Sequence, residues 1–209
     1  MQLSQAKPQI NSIYEQKKFL RAHYTQKRKE LGQDERMRQS DALVLSVSSH
    51  SCFIRSNTIL CYYPIEEEPS ILPLANIALS LGKTVAFPIS NTKDHTLSFR
   101  SVKDLSQLKS GAYRIPEPTA NMPEISDFSE SLCIVPALAF DLRGYRIGYG
   151  KGFYDRFLST FNGVSLGLAY DKFVTDVLPH DATDQNVDII ITEGRVYNVK
   201  KLLQQETKN

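Results

Sequence analysis

Short apolar runs rich in β-branched residues, at Thr58–Tyr63, Thr84–Pro88, Thr96–Val102, Leu132–Val135, Val164–Ala169 and Val187–Thr192, constrain the fold of this chain most. Runs of that length and composition read as strands, and helical segments separate most of them. That order argues for a mainly parallel sheet covered on both faces. The expected fold is therefore α/β: a single three-layer, Rossmann-like domain with a mainly parallel sheet over residues 1–209.

Three helices are predicted before the midpoint. From Ser12 to Leu31 the residues Ile13, Leu20, Tyr24 and Leu31 keep helical spacing, Ser12 and Glu15 suit a capping box, and Gly32 offers a stop. Asp34–Ser48 reads as a second helix, and Ser70–Leu81 as a third ended by Gly82. Residues 103–131 carry several prolines and acids with little periodicity, so a long surface connection containing the turn Arg114–Pro118 is expected.

Composition limits the partners. With 25 basic and 23 acidic side chains the net charge is +2, too small an imbalance for a nucleic-acid or membrane surface, so any basic site must be local. Cys52, Cys61 and Cys133 are odd in number and widely spaced, which suits core packing in a reducing compartment better than disulfides. The first ten residues lack a long apolar core, and no stretch reaches the ~18 apolar residues of a membrane span. A cytoplasmic monomer is expected.

The chemistry concentrates in Asp141–Leu158, DLRGYRIGYGKGFYDRFL, which follows the strand Leu132–Val135 and leads into a helix over Phe153–Phe161. The alternating Gly148, Gly150 and Gly152 permit positive φ and close approach to a ligand, and Lys151 adds a cation. Phosphate binding is one reading and a glycine-rich surface turn is the other. Neither standard nucleotide fingerprint is met, because Tyr145 and Phe153 stand where each would need glycine.

Other polar groups gather elsewhere. On the first helix, Lys17 falls inside the apolar stripe and Arg21 at its edge, either to meet a buried anion or to snorkel. Lys18, Lys27, Arg28 and Lys29 read as a solvated face. Tyr62, Tyr63, Glu66, Glu67 and Glu68 stand at and past the C-terminal end of the strand Thr58–Tyr63, where open α/β sheets place ligand crevices. Pro69 at the start of a helix would set Glu68 beside the positive end of that helix. Near the C-terminus Asp181, Asp184 and Asp188 form either an acidic solvated loop or, with Asp155, ligands for Mg²⁺. His180 and the other histidines have no metal-ligand spacing and read as surface residues.

The run G-Y-R-I-G-Y-G-K-G-F-Y-D-R, Gly144–Arg156, resembles the signature of the 5-formyltetrahydrofolate cyclo-ligases, also called methenyltetrahydrofolate synthetases. The resemblance implies ATP contacts at Lys17, Arg21, Arg146, Gly148, Tyr149, Gly150, Lys151, Gly152, Phe153 and Tyr154, with Lys151 and Arg146 catalytic. It implies folate contacts at Tyr62, Glu67, Phe153 and Tyr154, and Mg²⁺ at Asp155 and Asp184. The implied reaction is ATP- and Mg-dependent cyclisation of 5-formyltetrahydrofolate to 5,10-methenyltetrahydrofolate, releasing ADP and phosphate through a phosphorylated formyl group. Two alternatives stay open on the residues alone: an isomerase or transferase acting on a sugar phosphate or thioester, and a non-catalytic folate or nucleotide binding module.

Overall fold

In a computed structural model, which describes residues 12–206, the helices α1 (Ile13–Lys29), α2 (Gln33–Ser49) and α3 (Ser51–Arg55) precede strand β1 (Thr58–Leu60). Helix α4 (Leu72–Ser80) leads to the hairpin of β2 (Thr84–Asn91) and β3 (Thr96–Val102), and the two-residue strands β4 (Lys109–Ser110) and β5 (Pro116–Glu117) pair with each other. Then come β6 (Ser131–Pro136), β7 (Ala139–Asp141), β8 (Arg146–Ile147), α5 (Phe153–Leu158), β9 (Val164–Leu168), β10 (Val174–Thr175), β11 (Ile189–Ile191), β12 (Val196–Asn198) and α6 (Val199–Glu206).

Seven strands form the main sheet in the order β12-β11-β9-β6-β1-β2-β3. The inner pairings are parallel and the two edge pairings antiparallel. Successive residues on a strand point to opposite faces, and burial follows that alternation: Ile59, Val85, Ile134 and Ile191 join one core, Leu60, Ala86, Val135 and Ile190 the other. Helices α2, α3 and α4 cover the first face through Leu43, Val47, Phe53 and Leu74. Helices α5 and α6 cover the second through Phe157 and Val199. The mixed α/β architecture expected from the sequence is thus the observed one, and Cys61 and Cys133 lie in the cores as free thiols.

The local differences have physical causes. Helix α1 closes at Glu30, and Gly32, at φ −59°, serves as the N-cap of α2 rather than as a left-handed stop. Pro69 starts no helix: α4 begins at Leu72, with Pro73 in its first turn where the missing N–H costs nothing. Residues 103–131 do not simply cross the surface. Buried Glu117 accepts the N–H groups of Ser90 (3.1 Å) and Ala112 (3.3 Å), which ties the segment to the β2–β3 hairpin. The predicted lack of a leader falls on residues 1–11, outside the described residues. Among the described residues no helix is long and apolar enough to cross a membrane.

Candidate functional site

The chain runs from β1 to β2 on one side and later to β6 on the other, so the order of connection reverses between β1 and β6. Open α/β sheets leave a crevice at the carboxyl ends of such strands. There a cavity of about 360 Å³ opens, lined by Tyr62, Tyr63 and Glu68 past β1, Pro88 and Ser90 on β2, and Pro136 at the end of β6. Its volume is in the range of small-ligand sites.

One wall is cationic. Helix α1 contributes Lys17 and Arg21, and β8 with the glycine run contributes Arg146 through Gly152 together with Asp155. Lys17 Nζ donates to Asp181 Oδ2 at 2.8 Å and to Asp184 Oδ2. Burial acts to lower the Lys17 pKa, but the two aspartates together outweigh it and the pKa stands above its ordinary value. The Lys17 ammonium in turn holds Asp181 well below the usual carboxylate range. Arg21 Nε donates to Gly148 O at 3.1 Å. Gly150 lies under the same guanidinium, 2.9 Å from where a Cβ would stand, and its φ of +90° is a conformation that favours glycine. Arg146 donates to Asp155 Oδ1 at 2.7 Å and to Gln185 O at 2.6 Å, and Asp155 Oδ1 also accepts the Gln185 N–H. These bonds tie the glycine run to the loop 181–185.

The opposite wall is drier. Tyr62 is buried and its hydroxyl donates to Pro69 O at 2.6 Å. The buried Tyr154 hydroxyl has no hydrogen-bond partner among the described residues. Phe153 meets His95 and Tyr113 edge-on, at ring distances of 5.3 and 6.3 Å. Glu68, 8% exposed, accepts the Ile65 N–H at 3.1 Å, and burial pushes its carboxyl up to about 7.

The structure brings together Lys17, Arg21, Tyr62, Arg146, Gly148 to Gly152, Phe153, Tyr154, Asp155 and Asp184 around one cavity. It does not bring Glu67 there. Glu66 at φ +49° turns the chain, and of the three adjacent glutamates the one that lines the cavity is Glu68. Neither does the acidic loop act as one group: Asp188 accepts from Ser165 and pairs with Lys200 away from the cavity. Arg28 overturns the solvated face expected for it. It is 1% exposed, lies against the Phe173 ring at 5.4 Å, and its Nη2 donates to the carbonyls of Ala137 and Leu138. The spacing 17, 21, 24, 28, 31 could have found it, since it continues the stripe of Lys17 and Leu31. Asp141 carried no such signal. Fully buried at the head of the glycine segment, it accepts the N–H groups of Arg143, Tyr145 and Leu178, each within 3.0 Å. His180 is no isolated surface residue, since its ring stacks on Tyr145 at 3.7 Å.

For a metal the protein offers few ligands. Among the described residues no three His, Cys, Asp or Glu side chains stand where they could hold an ion together. Asp155 and Asp184 both line the cavity, yet each is paired with a cation, and both hydrogen bonds to Asp155 fall on Oδ1. Such a set fits Mg²⁺, which keeps waters and takes one or two carboxylates beside phosphate oxygens.

The chain and its fold have known relatives. Residues 13–193 match the model of the 5-formyltetrahydrofolate cyclo-ligase family. A 5,10-methenyltetrahydrofolate synthetase of Aquifex aeolicus, solved by NMR, superposes with a TM-score of 0.79 at 34% identity, over 88% of this chain and 93% of that one. A mouse 5-formyltetrahydrofolate cyclo-ligase is 26% identical over 190 residues, 85% of this chain and 93% of its own. The Escherichia coli K12 protein of the same name is 24% identical over 177 residues, 82% of this chain and 97% of its own.

Proposed function

The chain belongs to the 5-formyltetrahydrofolate cyclo-ligase family, and from that premise we propose that it uses Mg-ATP to close 5-formyltetrahydrofolate into 5,10-methenyltetrahydrofolate, releasing ADP and phosphate. The observation that carries this reading is the division of one cavity into a cationic, glycine-lined wall and a dry wall holding Tyr62, Tyr154 and Glu68. A triphosphate and a flat heterocycle need those two environments side by side.

An amide-like formyl oxygen is a poor leaving group. Transfer of the γ-phosphoryl to that oxygen expels ADP and gives an imidate phosphate. The neighbouring folate nitrogen then attacks the formyl carbon and loses its proton, the C–O bond breaks, and phosphate departs with the oxygen and takes up that proton. Phosphoryl transfer is mostly positioning and charge neutralisation. Lys151 and Arg146 neutralise the transferring oxygens, Lys17 and Arg21 hold the remaining phosphates, and the backbone at Gly148, Tyr149, Gly150 and Gly152 admits them closely. Asp155 and Asp184 would hold Mg²⁺, which would supply further neutralisation of phosphate charge. Phe153, Tyr154 and Tyr62 pack against the pterin. Glu68, in place of Glu67, accepts its N–H groups, because a buried carboxylate in the wall makes a stronger contact than a half-exposed one outside it.

The test follows the absorbance change of the folate together with phosphate release. Both should require ATP, Mg²⁺ and 5-formyltetrahydrofolate at once. Phosphate release that ignores the folate, or cyclisation without nucleotide, rules the proposal out.

A further inference from the structure

The glycine run after β7 and the loop 178–187 after β10 both send charged side chains to the cationic wall, and the two segments meet along one seam. Asp141, the last residue of β7, is fully buried behind that seam and outside the cavity lining. Its carboxylate joins the two segments. Oδ1 accepts the N–H groups of Arg143 at 3.0 Å and Tyr145 at 2.9 Å, closing the turn that leads into Arg146, and Oδ2 accepts the Leu178 N–H at 2.9 Å, at the head of the other loop. Beside this joint the Tyr145 and His180 rings stack at 3.7 Å, within 7° of parallel, and Gly144 O accepts the Val187 N–H at 3.0 Å. Tyr145 immediately precedes Arg146, and His180 immediately precedes Asp181. A buried carboxylate is costly unless its lone pairs are met, and here the backbone of both loops meets them.

We propose that Asp141 is a positioning residue: with the Tyr145–His180 stack beside it, it holds the loop 178–187 in register with the glycine run and so sets the spacing of Arg146 and Asp155 against Lys17, Asp181 and Asp184. This rests on the Mg-ATP reading of the site. Nearer the cavity the same two segments are tied by Arg146, Asp155 and Gln185. Phosphate oxygens and Mg²⁺ would draw on Arg146 and Asp155, which loosens that tie when ligand binds. The bonds to Asp141 lie away from the lining and are spared, so the spacing survives ligand binding. Tyr62 and Glu68, past β1, make no bond to this seam, and their wall keeps its shape without it.

The experiment is calorimetry of the full chain with Mg-ATP and with 5-formyltetrahydrofolate, each added alone, on the wild type, Asp141→Asn, His180→Ala and Leu43→Ala. In Asp141→Asn the amide oxygen still accepts from Arg143 and Tyr145 while the NH₂ group faces the Leu178 N–H, so the seam parts at one bond. Mg-ATP affinity should fall about tenfold, with folate affinity within about twofold of wild type. His180→Ala removes the ring stack and should weaken Mg-ATP binding several-fold, again sparing folate. Leu43→Ala opens the core beneath α2, so it should lower the melting temperature and leave both affinities unchanged. Unchanged Mg-ATP affinity in Asp141→Asn, equal losses for both ligands, or the same Mg-ATP loss in Leu43→Ala overturns the proposal. If Asp141→Asn does not fold, His180→Ala decides: a selective Mg-ATP loss upholds the proposal, and wild-type affinity overturns it. Absence of Mg-ATP binding by the wild type instead removes the functional reading beneath it.

Discussion

The two walls of the cavity are built in opposite ways. On the cationic wall Lys17 and Arg146 are already engaged by Asp181, Asp184 and Asp155, so their charges are positioned before any ligand arrives. On the dry wall Tyr154 keeps a buried hydroxyl without a partner among the described residues, and Glu68 is buried with its pKa raised. The first wall loses little to desolvation because these cations have counter-ions; the second holds polar groups at a cost that a ligand would relieve. Affinity for phosphate should therefore tolerate small changes, whereas affinity for the heterocycle should depend on single groups.

Lys151→Met should break this contrast most visibly. Lys151 is exposed at the cavity rim, and loss of a charge-assisted contact costs on the order of 1.5 to 3 kcal/mol. Steady-state kinetics should show turnover reduced roughly ten- to a hundredfold, with calorimetric folate affinity little changed. Equal losses in both would mean that the two walls are not separable.

Next in size is the carboxylate pair. Glu68→Gln should weaken folate binding by about tenfold or more while Mg-ATP binding persists, and Glu67→Gln should leave both near wild type. Stability supplies a second check. A carboxyl with a raised folded pKa costs stability as pH climbs from its ordinary value of about 4.3 towards about 7. Glu68→Gln should therefore melt higher than wild type in neutral and alkaline buffer, and the gain should vanish in acid.

A smaller effect is expected for Asp155→Asn, which replaces a charged oxygen with a neutral amide and should raise the Mg²⁺ concentration needed for activity several-fold. Asp184→Asn should do the same more weakly. Magnesium titrations that overlay the wild type would reassign both acids to the ion pairs alone.

The smallest effect belongs to Asp181, whose side chain is 44% exposed. Its depressed pKa contributes stability that is present above the unfolded-state value and lost as pH falls towards the folded one. Solvent screening limits the contribution to under about 1 kcal/mol. Melting curves of Asp181→Asn should run slightly below wild type at neutral pH and converge with it in strong acid, and added salt should narrow the gap.

Some of this was legible in the residues. Alternating short β-branched runs and helical segments pointed to the parallel sheet because burial on both faces leaves a continuous apolar signature. The glycine run announced positive φ, which Gly150 (+90°) and Gly152 (+71°) adopt. Lys17 within an apolar stripe left burial and snorkelling both open, and the structure buries it against Asp181 and Asp184. What sequence determined by itself were such local matters: period, turn chemistry, and the helix face on which a residue falls. Only the tertiary structure decided which of three adjacent glutamates entered the cavity, that the 103–131 segment returned to line it through Tyr113 and Glu117, and that Arg28 ended against Phe173. The last two outcomes depend on partners far away in the chain, Ser90 for Glu117 and Leu138 for Arg28. A charged side chain is stable in water or in a buried network of donors and acceptors, and only the assembled network selects between them.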